Sequence, residues 1–84
     1  MFAIIGNWPV DAELDSDQLA HITANVRQQP GLVRGYWGQE ADDVATAHAV
    51  VFLADEASAR MMAEGVKAAI PSAAIRIVRI LAEA

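Results

Sequence analysis

Two polar residues lie within otherwise apolar segments of this 84-residue chain, and they are the first candidates for chemistry. Asn7 follows an apolar run that begins at Phe2, and its amide can both donate and accept hydrogen bonds with a carbonyl or a phenol. His48 is flanked by alanines in a second apolar run, where a desolvated imidazole can act as a base near neutral pH. The structural alternatives are a turn residue at position 7 and a core or interface histidine with one hydrogen bond at position 48.

A second group of candidates is aromatic and basic. Tyr36 and Trp37 are adjacent, so on a strand they face opposite sides, and Arg34 shares the side of Tyr36. An arginine beside a phenol can bind a carboxylate or stabilise a phenolate. Sheet aromatics and helix methionines are more often core residues, and an edge arginine is more often solvated. We predict catalytic roles for Asn7, Tyr36 and His48, and ligand-binding roles for Trp8, Arg34, Trp37 and Met62.

The spacing of apolar residues indicates which elements position these side chains. Asp15 is a predicted helix N-cap, with Gln18 three residues later to complete a capping box. Alternation predicts a strand over 2–8, and an acidic, loop-like segment follows over 10–17. A helix then carries Leu19, Ile22 and Val26 and stops at 28–31. After it the pattern predicts strands over 32–40 and 44–54, a helix through 59–70 and a strand over 74–81.

The order βαββαβ, with the first and third strands apolar on both faces, predicts one ferredoxin-like domain over residues 1–84. Its fold class is α+β: an antiparallel four-stranded sheet with both helices on one face, because right-handed crossovers place them on the same side. The opposite face would then expose many apolar side chains. A large exposed apolar patch marks an interface, and a two-fold homodimer packed sheet to sheet is the simplest way to cover it.

Composition limits the partners. The net charge is −5, which repels nucleic acid and anionic membranes, so we expect neither as a partner. No apolar stretch approaches the ~20 residues that span a bilayer, and there is no basic leader. With no cysteine, and with two histidines lacking carboxylates at ligand spacing, the sequence predicts no metal site. We expect a cytoplasmic protein.

Two segments carry a family resemblance. They are Gln29–Trp37, a Pro-Gly stop leading into a strand, and Val51–Ala59, a strand running into a helix. In these marks the chain resembles the dimeric α/β-barrel superfamily, and within it the antibiotic-biosynthesis-monooxygenase-like (ABM) domains, whose protomers pack sheet against sheet. That family includes cofactor-free oxygenases of aromatic polyketides and haem-degrading oxygenases. The haem pattern of an early Asn with a Trp and a His near helix two is met only by Asn7, so the resemblance implies no cofactor.

The resulting functional hypothesis is a homodimeric small-molecule-binding protein of the monooxygenase-like group, with an apolar pocket between helices and sheet. In its specific form, Asn7 and an aromatic from Trp8, Tyr36 or Trp37 hold a phenolic substrate that reacts with oxygen without a cofactor. The alternative is a non-catalytic dimerisation or sensing module whose core is filled by its own side chains.

Overall fold

The computed structural model describes residues 1–84 and contains one four-stranded sheet and two helices. The elements are β1 (Phe2–Pro9), α1 (Ser16–Val26), β2 (Leu32–Glu40), β3 (Asp43–Leu53), α2 (Glu56–Ala69) and β4 (Ala74–Arg79). All neighbouring strands are antiparallel, in the order β2-β3-β1-β4. The predicted α+β ferredoxin-like fold is confirmed, with the doubly apolar strands β1 and β3 at the centre of the sheet.

The ends of the strands are set by their neighbours. β4 ends at Arg79, two residues before the predicted end. Arg79 pairs with Phe2, and because only Met1 precedes Phe2, β1 is too short to pair with a longer β4. β1 in turn continues through Pro9 rather than stopping before it. β4 pairs with β1 only as far as Asn7, so Pro9 lies where β1 has one free edge, and a free edge tolerates a residue without an N–H.

The start of α1 follows the predicted capping box. The Gln18 backbone N–H donates to Asp15 Oδ1 at 2.8 Å, and the Asp15 backbone N–H donates to Gln18 Oε1 at 2.9 Å. Two of the backbone donors that a helix N-terminus leaves free are thereby satisfied. The helix begins at Ser16, so the last acidic residue before the apolar stripe, Asp17, lies in its first turn.

The connection from α1 to β2 packs against the start of α2. Gly31 has φ of +76°, a conformation that glycine adopts without strain, and its carbonyl accepts a hydrogen bond from the Ala54 N–H at 2.8 Å. A Cβ at Gly31 would lie 2.5 Å from Ser58 Oγ. Asp55 caps α2. Two hydrogen bonds from Ser58 lower the pKa of the Asp55 carboxyl group, and the bond from the backbone N–H has a larger effect than the bond from the side chain.

The two helices contribute unequally to the core. The buried cluster comprises Ile4, Val51 and Leu53 from the sheet with Ala59 and Met62 from α2. α1 has no buried residue, and its Val26 only packs against the edge of this cluster. α2 is therefore the main cover of the sheet, whereas α1 is a looser second cover. Neither helix is long and apolar enough to cross a lipid bilayer.

The contact between Gly31 and Ser58 gives a matched pair of glycine variants. Gly31→Ala forces a Cβ into the left-handed region and against Ser58, and we expect it to lower the free energy of unfolding by about 1–3 kcal/mol. Gly65→Ala, in the middle of α2 with open space around it, should raise that free energy by about 0.5–1 kcal/mol. Urea denaturation measures both, and equal effects would contradict this account of the connection.

Candidate functional site

The sheet separates the predicted site residues into two groups. Trp8 is opposite Ala47 and Trp37 is opposite Ala49, all on the face that the helices cover. Asn7 is opposite His48 and Tyr36 is opposite Val50, on the other face. The structure therefore brings together Trp8, Trp37 and Met62 on the helix side, and Asn7, Arg34, Tyr36 and His48 on the face without helices.

A cavity of about 110 Å³ lies between the helices and the sheet. Its lining residues include both tryptophans of the chain, and they carry no side-chain N–H group other than the two indole N–H groups. No titratable residue lines it. The lining residues are Ile4, Gly6, Trp8, Ile22, Val26, Trp37, Ala49, Val51, Met62, Val66, Ile70, Ala73 and Ile75.

Small residues leave the space that larger ones would fill. The cavity is lined by three small residues, Gly6, Ala49 and Ala73. The other lining residues around them include isoleucine, valine and tryptophan. The wall on the β2 side depends on Gly35, because a Cβ there would lie 2.6 Å from Cη2 of Trp37. The indole thus lies over Gly35 along its own strand. These small residues were not predicted as part of a site, although their helix-facing positions can be read from strand alternation.

The face without helices, here called the open face, consists of three rows of residues that run across the sheet. The first row is polar at its centre, the second has an apolar centre with Tyr36 at its β2 edge, and the third has Phe52 at its centre beside Arg34. In the order β4, β1, β3, β2, the rows are Ala74, Asn7, His48 and Gly38; then Arg76, Ile5, Val50 and Tyr36; then Val78, Ala3, Phe52 and Arg34.

Contacts at the third row hold the β2 edge of the open face. Tyr36 meets the Phe52 ring edge to face, with centroids 6.4 Å apart, and the Arg34 guanidinium lies 5.7 Å from the same ring. Arg34 also pairs with Glu83 at 3.6 Å. Because β2 and β4 are opposite edges of the sheet, the segment after β4 must pass beside this row to reach Arg34. The Arg34–Glu83 ion pair is exposed, so it adds little to the stability of the fold.

The first row contains a polar atom without a partner. Nε2 of His48 is buried and makes no hydrogen bond, although the His48 side chain as a whole is 43% exposed. The nearest charged group is Glu40 Oε1 at 4.0 Å, which is too far for a hydrogen bond. Gly38, the cross-strand neighbour of His48 on β2, has nothing within 4 Å of the position of a Cβ. We call the first row, Ala74, Asn7, His48 and Gly38, the notch.

Gln39 positions the segment before α1, a role for which the sequence carries no signal. Its Oε1 accepts a hydrogen bond from the Leu14 N–H at 2.9 Å, and its Nε2 donates to Val44 O at 2.9 Å and to Ala12 O at 3.3 Å. One amide thereby joins the segment before α1 to the β2–β3 hairpin. A glutamine on a half-wet strand is otherwise typical of a solvated residue.

The hypothesis of a single pocket needs revision in one respect. Of the three aromatics considered as partners of Asn7, only Tyr36 shares its face, and neither Asn7 nor Tyr36 lines the cavity. A ligand in the cavity of one protomer meets Trp8, Trp37 and Met62, whereas a ligand on the open face meets the other four residues. No protein-family model and no curated protein matches the chain, so the resemblance to the ABM domains stays a prediction.

Two glycines of β2 test how the wall of the cavity is built. Gly35→Ala should displace the Trp37 indole, lower the free energy of unfolding by about 1–3 kcal/mol and shift tryptophan emission to longer wavelength. Gly38→Ala is the control, because an added methyl group there meets open space and should leave the emission maximum unchanged. Fluorescence spectra of the folded variants report both effects, and an unchanged spectrum for Gly35→Ala would show that the wall does not depend on Gly35.

Proposed function

We propose that the protein is a homodimeric small-molecule-binding protein, in which each protomer binds a small, neutral, apolar molecule in the cavity between its helices and its sheet. One observation carries the proposal. The cavity is lined by apolar side chains and two indole rings, with no charged group among them. A charged ligand would lose its hydration there and find no partner, so the lining favours a neutral one.

The volume limits the size of the ligand. An engineered cavity of about 150 Å³ lined by apolar residues binds benzene, so a cavity of about 110 Å³ suits a ligand no larger than one aromatic ring. A polycyclic compound would have to displace α1, which is the cover with no buried residue. A monocyclic aromatic ring between Trp8 and Trp37 is the occupant that this lining favours.

Toluene is a suitable probe, because it is neutral, apolar and monocyclic. We expect it to change the emission of the two tryptophans saturably and, at ten times its Kd, to stabilise the fold by about 1.4 kcal/mol. For a domain of this size that corresponds to a rise in Tm of roughly 6–11 °C.

Ala49→Leu fills the cavity and should abolish both effects of toluene. Ala68→Leu, on the exposed side of α2, is the matched control and should retain them. Toluene effects that are equal in the two variants would place the bound molecule elsewhere and refute the cavity as the binding site.

The homodimer is supported by the composition of the open face. Its central strands carry Ile5, Val50 and Phe52, and its edge strands carry Arg34 and Arg76, which matches an interface with an apolar centre and a polar rim. Ile5 is 42% exposed and Tyr36 is 60% exposed in a single protomer. The whole sheet, about 19 Å wide and 26 Å long, gives two copies at most about 1,000 Å² of covered surface, the lower limit for a specific interface.

Two aspartate substitutions test the dimer. Ile5→Asp places a charge at the apolar centre of the open face, and we expect a monomer of 9.0 kDa by light scattering where the parent protein has twice that mass. Met61→Asp changes another exposed apolar residue, which lies on α2 and is 57% exposed against 42% for Ile5, and should leave the mass of the dimer unchanged. The proposed dimer is wrong if the parent protein itself has the monomer mass.

A second candidate function is the cofactor-independent oxygenation of a phenolic substrate, as the resemblance to the ABM domains implies. It is favoured by the fact that Asn7, Tyr36 and His48 share the open face. In such a reaction the substrate supplies the electrons: it loses two hydrogens and gains one oxygen atom of O2, and the second oxygen atom leaves as water. An oxygen electrode with phenol and hydroquinone substrates tests it. Uptake that persists unchanged in Asn7→Ala and Tyr36→Phe would refute these roles.

A further inference from the structure

We propose that the dimer contains a second binding site, separate from the cavity, in which the notch binds the hydroxyl group of a small phenol between the two sheets. The site is incomplete in one protomer, because the notch lies on the open face and only a second copy would close it. This inference rests on the proposed homodimer. It assigns the polar candidates Asn7 and His48 to an interface site and leaves the cavity to apolar ligands.

The unpartnered atom of His48 is the first observation that supports the site. Nε2 is already buried in the protomer without a hydrogen bond, and Glu40 Oε1 is 4.0 Å away. Covering the open face removes the remaining access of water to the ring. A buried polar atom with no partner destabilises the structure that contains it. Nε2 can pair with a hydroxyl in the notch once the half-exposed ring turns toward the open face, and the missing partner inside the protomer favours that turn.

The shape of the open face is the second observation. The notch is the row with the smallest residues on both edge strands, Ala74 on β4 and Gly38 on β2, whereas the other two rows end in an arginine on one edge. Apart from Gly38 itself and its two chain neighbours, no atom lies within 4 Å of the position of a Cβ at Gly38. Two such faces in contact at the larger side chains leave a gap at the smaller ones. The gap contains polar groups, and a polar gap is occupied by water or by a ligand.

The chemistry of the notch and of the adjacent row selects the class of ligand. The Asn7 amide donates and accepts hydrogen bonds, and a neutral imidazole does the same, which suits a hydroxyl group. The adjacent row presents Ile5 and Val50 at its centre, which suits an apolar ring attached to that hydroxyl. Glu40 beside His48 disfavours a carboxylate, while Arg76 lies on the far edge of the sheet, opposite Ile5. A neutral phenol combines these features.

The experiment follows the ring protons of the two histidines by NMR while phenol is added to the dimeric protein. His21, on the exposed surface of α1, is the internal control. The titration uses the Ala49→Leu background, so that phenol cannot enter the cavity. We expect a saturable shift of the His48 signal with His21 unchanged. We expect that shift to be lost in Gly38→Val, which fills the notch, and retained in Gly65→Ala, which adds a methyl group on α2.

The outcomes separate this inference from the proposed function. A dimer whose His48 signal does not respond to phenol has a notch that holds only water, and this overturns the second site but leaves the dimer intact. A particle of monomer mass overturns both the dimer and the second site. If the Ile5→Asp monomer binds phenol at His48 as tightly as the dimer does, the second copy contributes nothing and the inference is wrong.

Discussion

The two central strands carry apolar side chains on both faces, and the chain has helices for only one of them. Ile4 and Val51 point to the helices and are buried, while Ile5 and Val50 are adjacent in sequence and point the other way. Because successive side chains of a strand alternate between faces, no change in the position of the helices can cover both sets. The requirement for a second cover is therefore built into β1 and β3, and the proposed homodimer is our answer to it.

The unequal packing of the helices determines what the covered face can do. α2 buries Ala59 and Met62 against the sheet and fixes the core, whereas α1 has no buried residue. α1 is tied to the rest of the fold through its flanking segments, by the Gln39 hydrogen bonds before it and by the connection at Gly31 after it. The cavity lies where this looser helix spans the small side chains of the sheet. Nothing in its lining carries charge, so the ligand binding that we propose would depend on shape and apolar contact.

The sequence predicts much of this arrangement and misses a defined part of it. Element order, the bounds of β2 and the capping box at Asp15 depend on local patterns, and these predictions are confirmed. Strand alternation also separates Tyr36 from Trp37. A single pocket containing Asn7 and a tryptophan does not follow from alternation, since Asn7 and Trp8 are adjacent on one strand and must face opposite sides. The volume of the cavity and the role of Gln39 depend on tertiary placement, which no local pattern records.

The most direct test of the account measures which side chains meet solvent. A soluble paramagnetic probe broadens the methyl signals of exposed residues in NMR spectra and spares covered ones. If a second copy covers the open face, the methyl groups of Ile5 and Val50 are spared at the concentration at which the dimer forms, while Met61, which is 57% exposed on α2, is broadened. Equal broadening of Ile5, Val50 and Met61 would show that the open face stays in water, and would contradict the claim that a second copy covers it.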